Sequence, residues 1–358
     1  MISYTASSTV EKPVDPLPAV FRAYRAEIEA ALRSGLSRGD LALYRMLDYN
    51  MGWRDQAGRP TSGSADSVGK ALRPTLCLFA CEVTGSPARR ALPAAVALEF
   101  IHRFSLIHDD IQDRDETRHH RPTLWAIWGE PKALVAGNAL RAVADMSLAG
   151  LIDEGVDLDR AVAVARLLTE AHLQMIEGQY LDLSYESRPD IGMSDYLNMI
   201  SRKTGALIRC SLHIGALIGT RNQATVEAFR KCGESLGLVF QIRDDVLGVW
   251  GDERVTGKPV GADIRRKKNS LPVVYAMSRA VGADKEFLEN VYRRDTVDDS
   301  DVEGVLEIMD RLGVRSYAHQ LASETCDRAV AALAGVEGTA DFRRKTEELA
   351  HFLLVREH

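Results

Sequence analysis

Apolar residues recur at i, i+3, i+4 and i+7 along nearly the whole chain from Pro18 onward. That period commits the backbone to helices and leaves little for strands. It is plainest in VFRAYRAEIEAALRSGL (20–36), ALPAAVALEFIHRFSLIHDD (91–110), DRAVAVARLLTEAHLQMIEGQYLDL (159–183) and ATVEAFRKCGESLGLVFQIRDDVLG (224–248). Hairpin signals bracketed by alternating β-branched runs are absent. Breaks rich in Gly, Pro, Asp or Ser fall at 52–69, 120–123, 128–132, 184–194 and 251–263, as loops do. A length of 358 residues by itself suggests two domains. The unbroken helical pattern instead predicts one all-α domain of about a dozen helices over 17–358. Residues 1–16, with Ser, Thr and two prolines after Lys12, read as a flexible arm.

Charge and cysteine usage narrow the function classes. With 51 acidic and 45 basic residues the net charge is −6, which argues against nucleic acid as a partner because that needs a basic footprint. Cys77, Cys81, Cys210, Cys232 and Cys326 form no CxxC pair and read as small core residues in a reducing cytoplasm. The N-terminus lacks a basic segment followed by an apolar run, so no signal peptide is expected. Residues 204–220 come nearest to a membrane span, but Arg209 and His213 interrupt them; a buried helix is expected there and no span.

Two acidic segments carry the chemistry. In HDDIQDRDETRHHRPT (108–123), Asp109 and Asp113 are four apart and share one helix face. Carboxylates held that close repel unless a cation lies between them. A hard divalent ion that takes one or two carboxylates plus phosphate oxygens satisfies both groups. Asp110 points off that face, behind the pair. The second segment is FQIRDDVLGVWGDERVTGKP (240–259): Asp244 and Asp245 are expected to end an apolar helix, with Asp252 in the loop and Lys258 beyond it. Two acidic helix ends, each trailed by bases, suggest facing walls around an anionic ligand.

The chain resembles the trans-isoprenyl (polyprenyl) diphosphate synthases over roughly 20–350. The resemblance rests on GKALRP (69–74), ALEFIHRFSLIHDDIQD (97–113), RHHRPT (118–123), GQYLDL (178–183), KTGALI (203–208) and FQIRDD…TGKP…DIRRKKNSLP, all in family order. It implies an all-α isoprenoid synthase-type bundle around a central cavity, a homodimer, and condensation of an allylic diphosphate with isopentenyl diphosphate. By resemblance Asp109, Asp113 and Asp244 hold three Mg²⁺ ions, with Mn²⁺ a possible substitute, and Asp110 and Asp245 support them. Arg118, Lys203, Lys258 and Lys268 would neutralise the allylic diphosphate. Gln241 and Gln179 would stand near the reacting centre, and Thr204 near the cation or departing oxygen. Lys70, Arg73 and His102 match the isopentenyl diphosphate pocket.

This sequence also departs from the pattern. His119 and His120 replace an arginine and a glycine, and His119 would be a weaker, pH-dependent ligand for isopentenyl diphosphate. Gly248 replaces a third aspartate, for which Asp252 is a candidate substitute. Ser105, four residues before Asp109, is small. Phe104, five before it, lies about 7.5 Å along the axis and is expected to floor the cavity, as in C20 geranylgeranyl synthases. Two other functions remain open: a class I terpene cyclase on the same fold, and a non-catalytic partner subunit.

Overall fold

The computed structural model describes residues 17–61, 71–186, 188, 190–253, 259–337 and 340–355. The arm at 1–16 and two expected site residues, Lys70 and Lys258, lie outside them. The helices are α1 Ala19–Leu36, α2 Ala42–Asn50, α3 Leu72–Val83, α4 Leu92–Gln112, α5 Leu124–Trp128, α6 Glu130–Asp153, α7 Leu158–Tyr185 and α8 Met193–Ile200. They continue with α9 Ala206–Gly219, α10 Gln223–Trp250, α11 Ala262–Arg265, α12 Leu271–Arg279, α13 Gly282–Arg293, α14 Asp299–Arg311, α15 Val314–Ala332 and α16 Ala340–Val355. The all-α expectation holds.

Helix α9 buries Leu207, Ile208, Leu212, Ile214, Ala216 and Ile218 and keeps Arg209 and His213 on its one less buried side. A helix apolar over most of its circumference belongs in the interior, and α9 packs between α3, α7 and α10. Helix α4 buries Ala94, Ala95, Ala97, Leu98, Phe100 and Ile101 and runs along α6. All five cysteines are free thiols in the interior. A second apolar cluster joins Val249, Ile264, Val273, Leu288, Val302, Val305 and Met309; it anchors the segment that follows the second acidic group.

Three local expectations are corrected. Asp244 and Asp245 do not end their helix, because α10 continues to Trp250. The break at 128–132 shrinks to Gly129, whose φ of 83° turns the chain between α5 and α6. Residues 117–122 form a small hairpin in which β1 (Thr117–Arg118) pairs antiparallel with β2 (Arg121–Pro122). Its loop is His119–His120, at φ 48° and 60°, the left-handed pair a two-residue hairpin demands. Asn-Gly or Asp-Gly would have advertised it; two histidines do not. Helix α6 is also long and apolar enough by composition to cross a membrane. One face packs on α4, while Val135, Met146 and Ile152 are exposed.

Candidate active site

The first acidic wall is the end of α4. Asp109 and Asp110 occupy its last turn and Asp113 is its C-cap, donating its backbone N–H to the Asp109 carbonyl at 2.8 Å. Burial pushes the Asp109 carboxyl up to about 6; Lys203 opposes this, Asp113 adds to it, and Arg118 and Asp182 pull in opposite directions. Asp110 is buried and accepts a hydrogen bond from Arg118 Nε at 2.6 Å. A guanidinium has five donors, so this bond orients Arg118 without exhausting it.

A second basic group gathers beside that wall. His102 on α4 is held well below the ordinary imidazole range by burial, then by the charges of Arg73, Arg103, Arg118 and His119. Its ring is therefore neutral at pH 7. The structure thus brings together Arg73 from α3, His102 from α4 and His119 from the hairpin loop. Ser105, one turn on, donates its hydroxyl to the His102 carbonyl at 2.8 Å.

Lys203 and Thr204 stand on a single π-helical turn, Ser201–Gly205, between α8 and α9. Such turns re-aim side chains within otherwise regular helices. Glycines on both flanks admit it: a Cβ on Gly178 of α7 would lie 2.1 Å from the Lys203 nitrogen, and one on Gly237 of α10 2.7 Å from Gly205 Cα. Lys203 Nζ bonds Asp182 Oδ2 at 2.5 Å. Thr204 Oγ1 donates to Gln241 Oε1 at 2.6 Å, and Gln241 Nε2 donates to Asp245 Oδ1 at 2.8 Å.

Asp245 anchors this chain. It also accepts from Tyr196 Oη at 2.6 Å and from the Leu271 backbone N–H at 2.7 Å. Burial pushes its carboxyl up to about 6, against the charge of Lys268. Asp244 turns to the less buried side of α10. Lys268 is held above the ordinary lysine range, first by Asp263 and then, against burial, by Asp245, Asp182 and Asp244.

Asp263 stands beside Gly248, where the resemblance expects a third aspartate. A Cβ on Gly248 would lie 2.2 Å from Asp263 Oδ2, so a carboxylate from the following segment already fills the room a side chain at 248 would take. Asp252, the expected substitute, lies exposed beyond the helix. Gln179 donates from Nε2 to Gln112 Oε1 at 2.8 Å, joining α7 to the end of α4. Phe104 is 9% exposed, its ring 4.4 Å from that of His108 and 5.2 Å, edge-on, from that of His172. A wide cleft of about 1330 Å³ between α1, α2 and the start of α6 contains none of these residues.

Sequence reasoning missed Asp182 and Asp263. Asp182 is felt at Asp109, Lys268, Glu186 and Tyr196 and so faces both acidic walls. Its position three residues after Gln179, one helical turn on, was a readable signal. Asp263 offered none, because only the fold carries it to Gly248.

The donor set suits Mg²⁺. Among the described residues no three His, Cys, Asp or Glu side chains form a ready cage. Mg²⁺ does not need one, since it binds through one or two carboxylates and completes its octahedron with phosphate oxygens and water. Crowded carboxyls such as Asp109 and Asp113, one of them raised by burial, are the environment a cation relieves.

Comparison with known proteins agrees with this geometry. The polyprenyl synthetase family model matches residues 56–309. A (2E,6E)-farnesyl diphosphate synthase of Mycobacterium tuberculosis is 35% identical over 333 residues, 92% of this chain and 90% of that protein. A geranylgeranyl diphosphate synthase of the same organism is 37% identical over 321 residues, 90% of each. The crystal structure of a polyprenyl synthetase from Streptomyces coelicolor superposes with a TM-score of 0.86 at 34% identity, covering 94% of this chain and 99% of that one. The chain belongs to the polyprenyl synthetase family and is a prenyltransferase of the isoprenoid synthase fold.

Proposed function

We propose that this enzyme condenses an allylic diphosphate with isopentenyl diphosphate, head to tail, to give a short-chain all-trans prenyl diphosphate. The observation that carries the reading is the pairing of two basic groups of different kinds. Arg118, Lys203 and Lys268 stand among the carboxylates of both walls, whereas Arg73, His102 and His119 cluster beside them. The first group receives the allylic diphosphate and the second isopentenyl diphosphate; Lys258 and Lys70, which lie outside the described residues, are assigned to them by sequence resemblance alone.

The allylic C–O bond breaks with its electron pair leaving on diphosphate. The double bond of isopentenyl diphosphate then attacks the cation through C4, and a proton is lost to restore an alkene. Asp109, Asp113 and Asp244 would hold three Mg²⁺ ions, replaceable by Mn²⁺, and that charge would favour departure of the diphosphate. Lys203 and Arg118 aim preorganised donors at its oxygens, which favours the transition state over the bound substrate. The Asp245–Gln241–Thr204 chain holds the Thr204 hydroxyl toward the cation. Gln179 extends the polar rim.

Phe104 supports a C20 product, since its ring is fixed between two histidines and stands a turn and a half below Asp109. We infer a homodimer in a reducing cytoplasm. Val135, Met146 and Ile152 on α6 and Leu158, Val162, Leu173, Ile176 and Tyr180 on α7 are exposed, and an apolar surface of that extent on adjacent helices is the kind a second copy covers.

The test is incubation with Mg²⁺ and farnesyl diphosphate, with and without isopentenyl diphosphate, followed by product analysis before and after phosphatase. Longer prenyl alcohols after phosphatase, formed only with isopentenyl diphosphate, are expected. A hydrocarbon formed without it would indicate a class I cyclase instead, and no turnover a non-catalytic partner subunit.

A further inference from the structure

The segments that follow the two acidic groups are tied to each other. Arg266 donates from Nη2 to Asp115 Oδ1 at 2.5 Å and from Nη1 to Asp115 Oδ2 at 3.2 Å. This is a two-pronged contact between residues 151 positions apart. Asp115 is firmly seated: its side chain is 12% exposed, and its backbone N–H donates to the Asp110 carbonyl at 2.9 Å. Its own carbonyl accepts from Thr123 Oγ1 at 2.9 Å and Trp125 Nε1 at 2.8 Å. Asp113 lies two residues before it and Arg118 three after.

On the opposite side, Arg266 ends a tight turn closed by Lys267 at φ 52° and by the Lys268 N–H on the Asp263 carbonyl at 2.9 Å. That turn sends Lys268 among Asp263, Asp245 and Asp244, while Arg265 is held by Asp299 at 2.7 Å. The hydrogen bonds to Asp115 hold the Arg266 guanidinium above its ordinary pKa against partial burial, and the charges of Asp115, Asp113 and Asp263 act the same way. One guanidinium therefore joins the segments that follow the two walls.

We propose that Arg266 is a positioning residue: through Asp115 it holds the 113–118 segment, and with it Asp113 and Arg118, in register with the second acidic wall. This rests on the assignment of the two walls as the diphosphate site. A single ion pair with one exposed partner adds little to global stability, so its effect belongs to local order and to ligand affinity. A planar fork fixes direction as well as distance, which an ammonium cannot do.

The test compares wild type, Arg266→Ala and Arg266→Lys. Binding of inorganic diphosphate with saturating Mg²⁺ is measured by calorimetry, amide exchange of residues 113–118 in metal-free protein, and kcat and KM for the allylic diphosphate separately. In Arg266→Ala, loss of a half-exposed charge-assisted pair is expected to weaken diphosphate binding and raise KM about 3- to 10-fold. Exchange at 113–118 quickens, kcat at saturation changes less than about threefold, and the thermal midpoint is unchanged. Arg266→Lys falls between the two. Should Arg266→Ala fold poorly, Arg266→Gln takes its place. Affinity and exchange equal to wild type would overturn the proposal. If wild type binds no diphosphate, the assignment of the site fails, and the exchange measurement still decides whether Arg266 orders the segment.

Discussion

Phe104 and His172 show how single residues shape this site. The ring of Phe104 is wedged between His108 and His172, so removing it opens room below Asp109. Phe104→Ala is expected to lengthen the main product by at least one isoprene unit; an unchanged chain length in a phosphatase-treated product assay would remove Phe104 from the floor. His172 accepts a hydrogen bond at Nδ1 from Arg141 Nε at 2.9 Å, which places its proton on Nε2. Burial, and then Arg141, pull its pKa down to about 4, with Asp145 opposing and His108 adding. The folded state thus refuses a proton that the unfolded chain takes near pH 6.5. Stability is fully present above pH 6.5 and falls as the pH drops toward 4. Near pH 5 the cost is about 2 kcal/mol. His172→Gln keeps an acceptor for Arg141 and does not titrate, so its loss of urea stability between pH 7 and pH 5 should be smaller than wild type by about that amount. Equal losses would show that His172 does not carry the acid sensitivity.

The elements explain what was legible and what was not. Helices α1, α7 and α10 were readable because each buries one stripe, and a stripe leaves a period. The hairpin at 117–122 was not, since His119 and His120 adopt left-handed backbone without the glycine that usually signals it. The π turn left no pattern either, because its cause is the approach of neighbouring helices. Gly178 and Gly237 allow that approach, and both read in sequence as ordinary helical glycines. Gly178→Ala would put a methyl 2.1 Å from the Lys203 nitrogen and must displace α7 or the turn. A fall in kcat of about 100-fold is expected, the size of effect a roughly 1 Å misplacement has on a reacting site, with circular dichroism unchanged. Full activity in Gly178→Ala would mean that the π turn does not position Lys203.

At the scale of the molecule, both acidic segments were legible and were expected to face one another, but the carboxylates that other elements add beside them were not all legible. Spacing within one helix put Asp109 and Asp113 on one face. The spacing of Asp182 from Gln179 was a signal, but no spacing could tell that Asp263 would fill the place beside Gly248, because that relation exists only once the segment after α10 packs back on it. In the proposed reaction the two walls act as one ionising site. The most direct measurement is turnover of labelled isopentenyl diphosphate with farnesyl diphosphate by wild type, Asp109→Asn and Asp244→Asn at saturating Mg²⁺. Each asparagine keeps the side-chain volume and removes the anionic charge. Each substitution alone is expected to lower kcat by about 1000-fold or more, as groups acting as a unit do, with the thermal midpoint unchanged. Wild-type turnover within about tenfold for either variant, a loss of only ~1.4 kcal/mol of transition-state stabilisation, would contradict it.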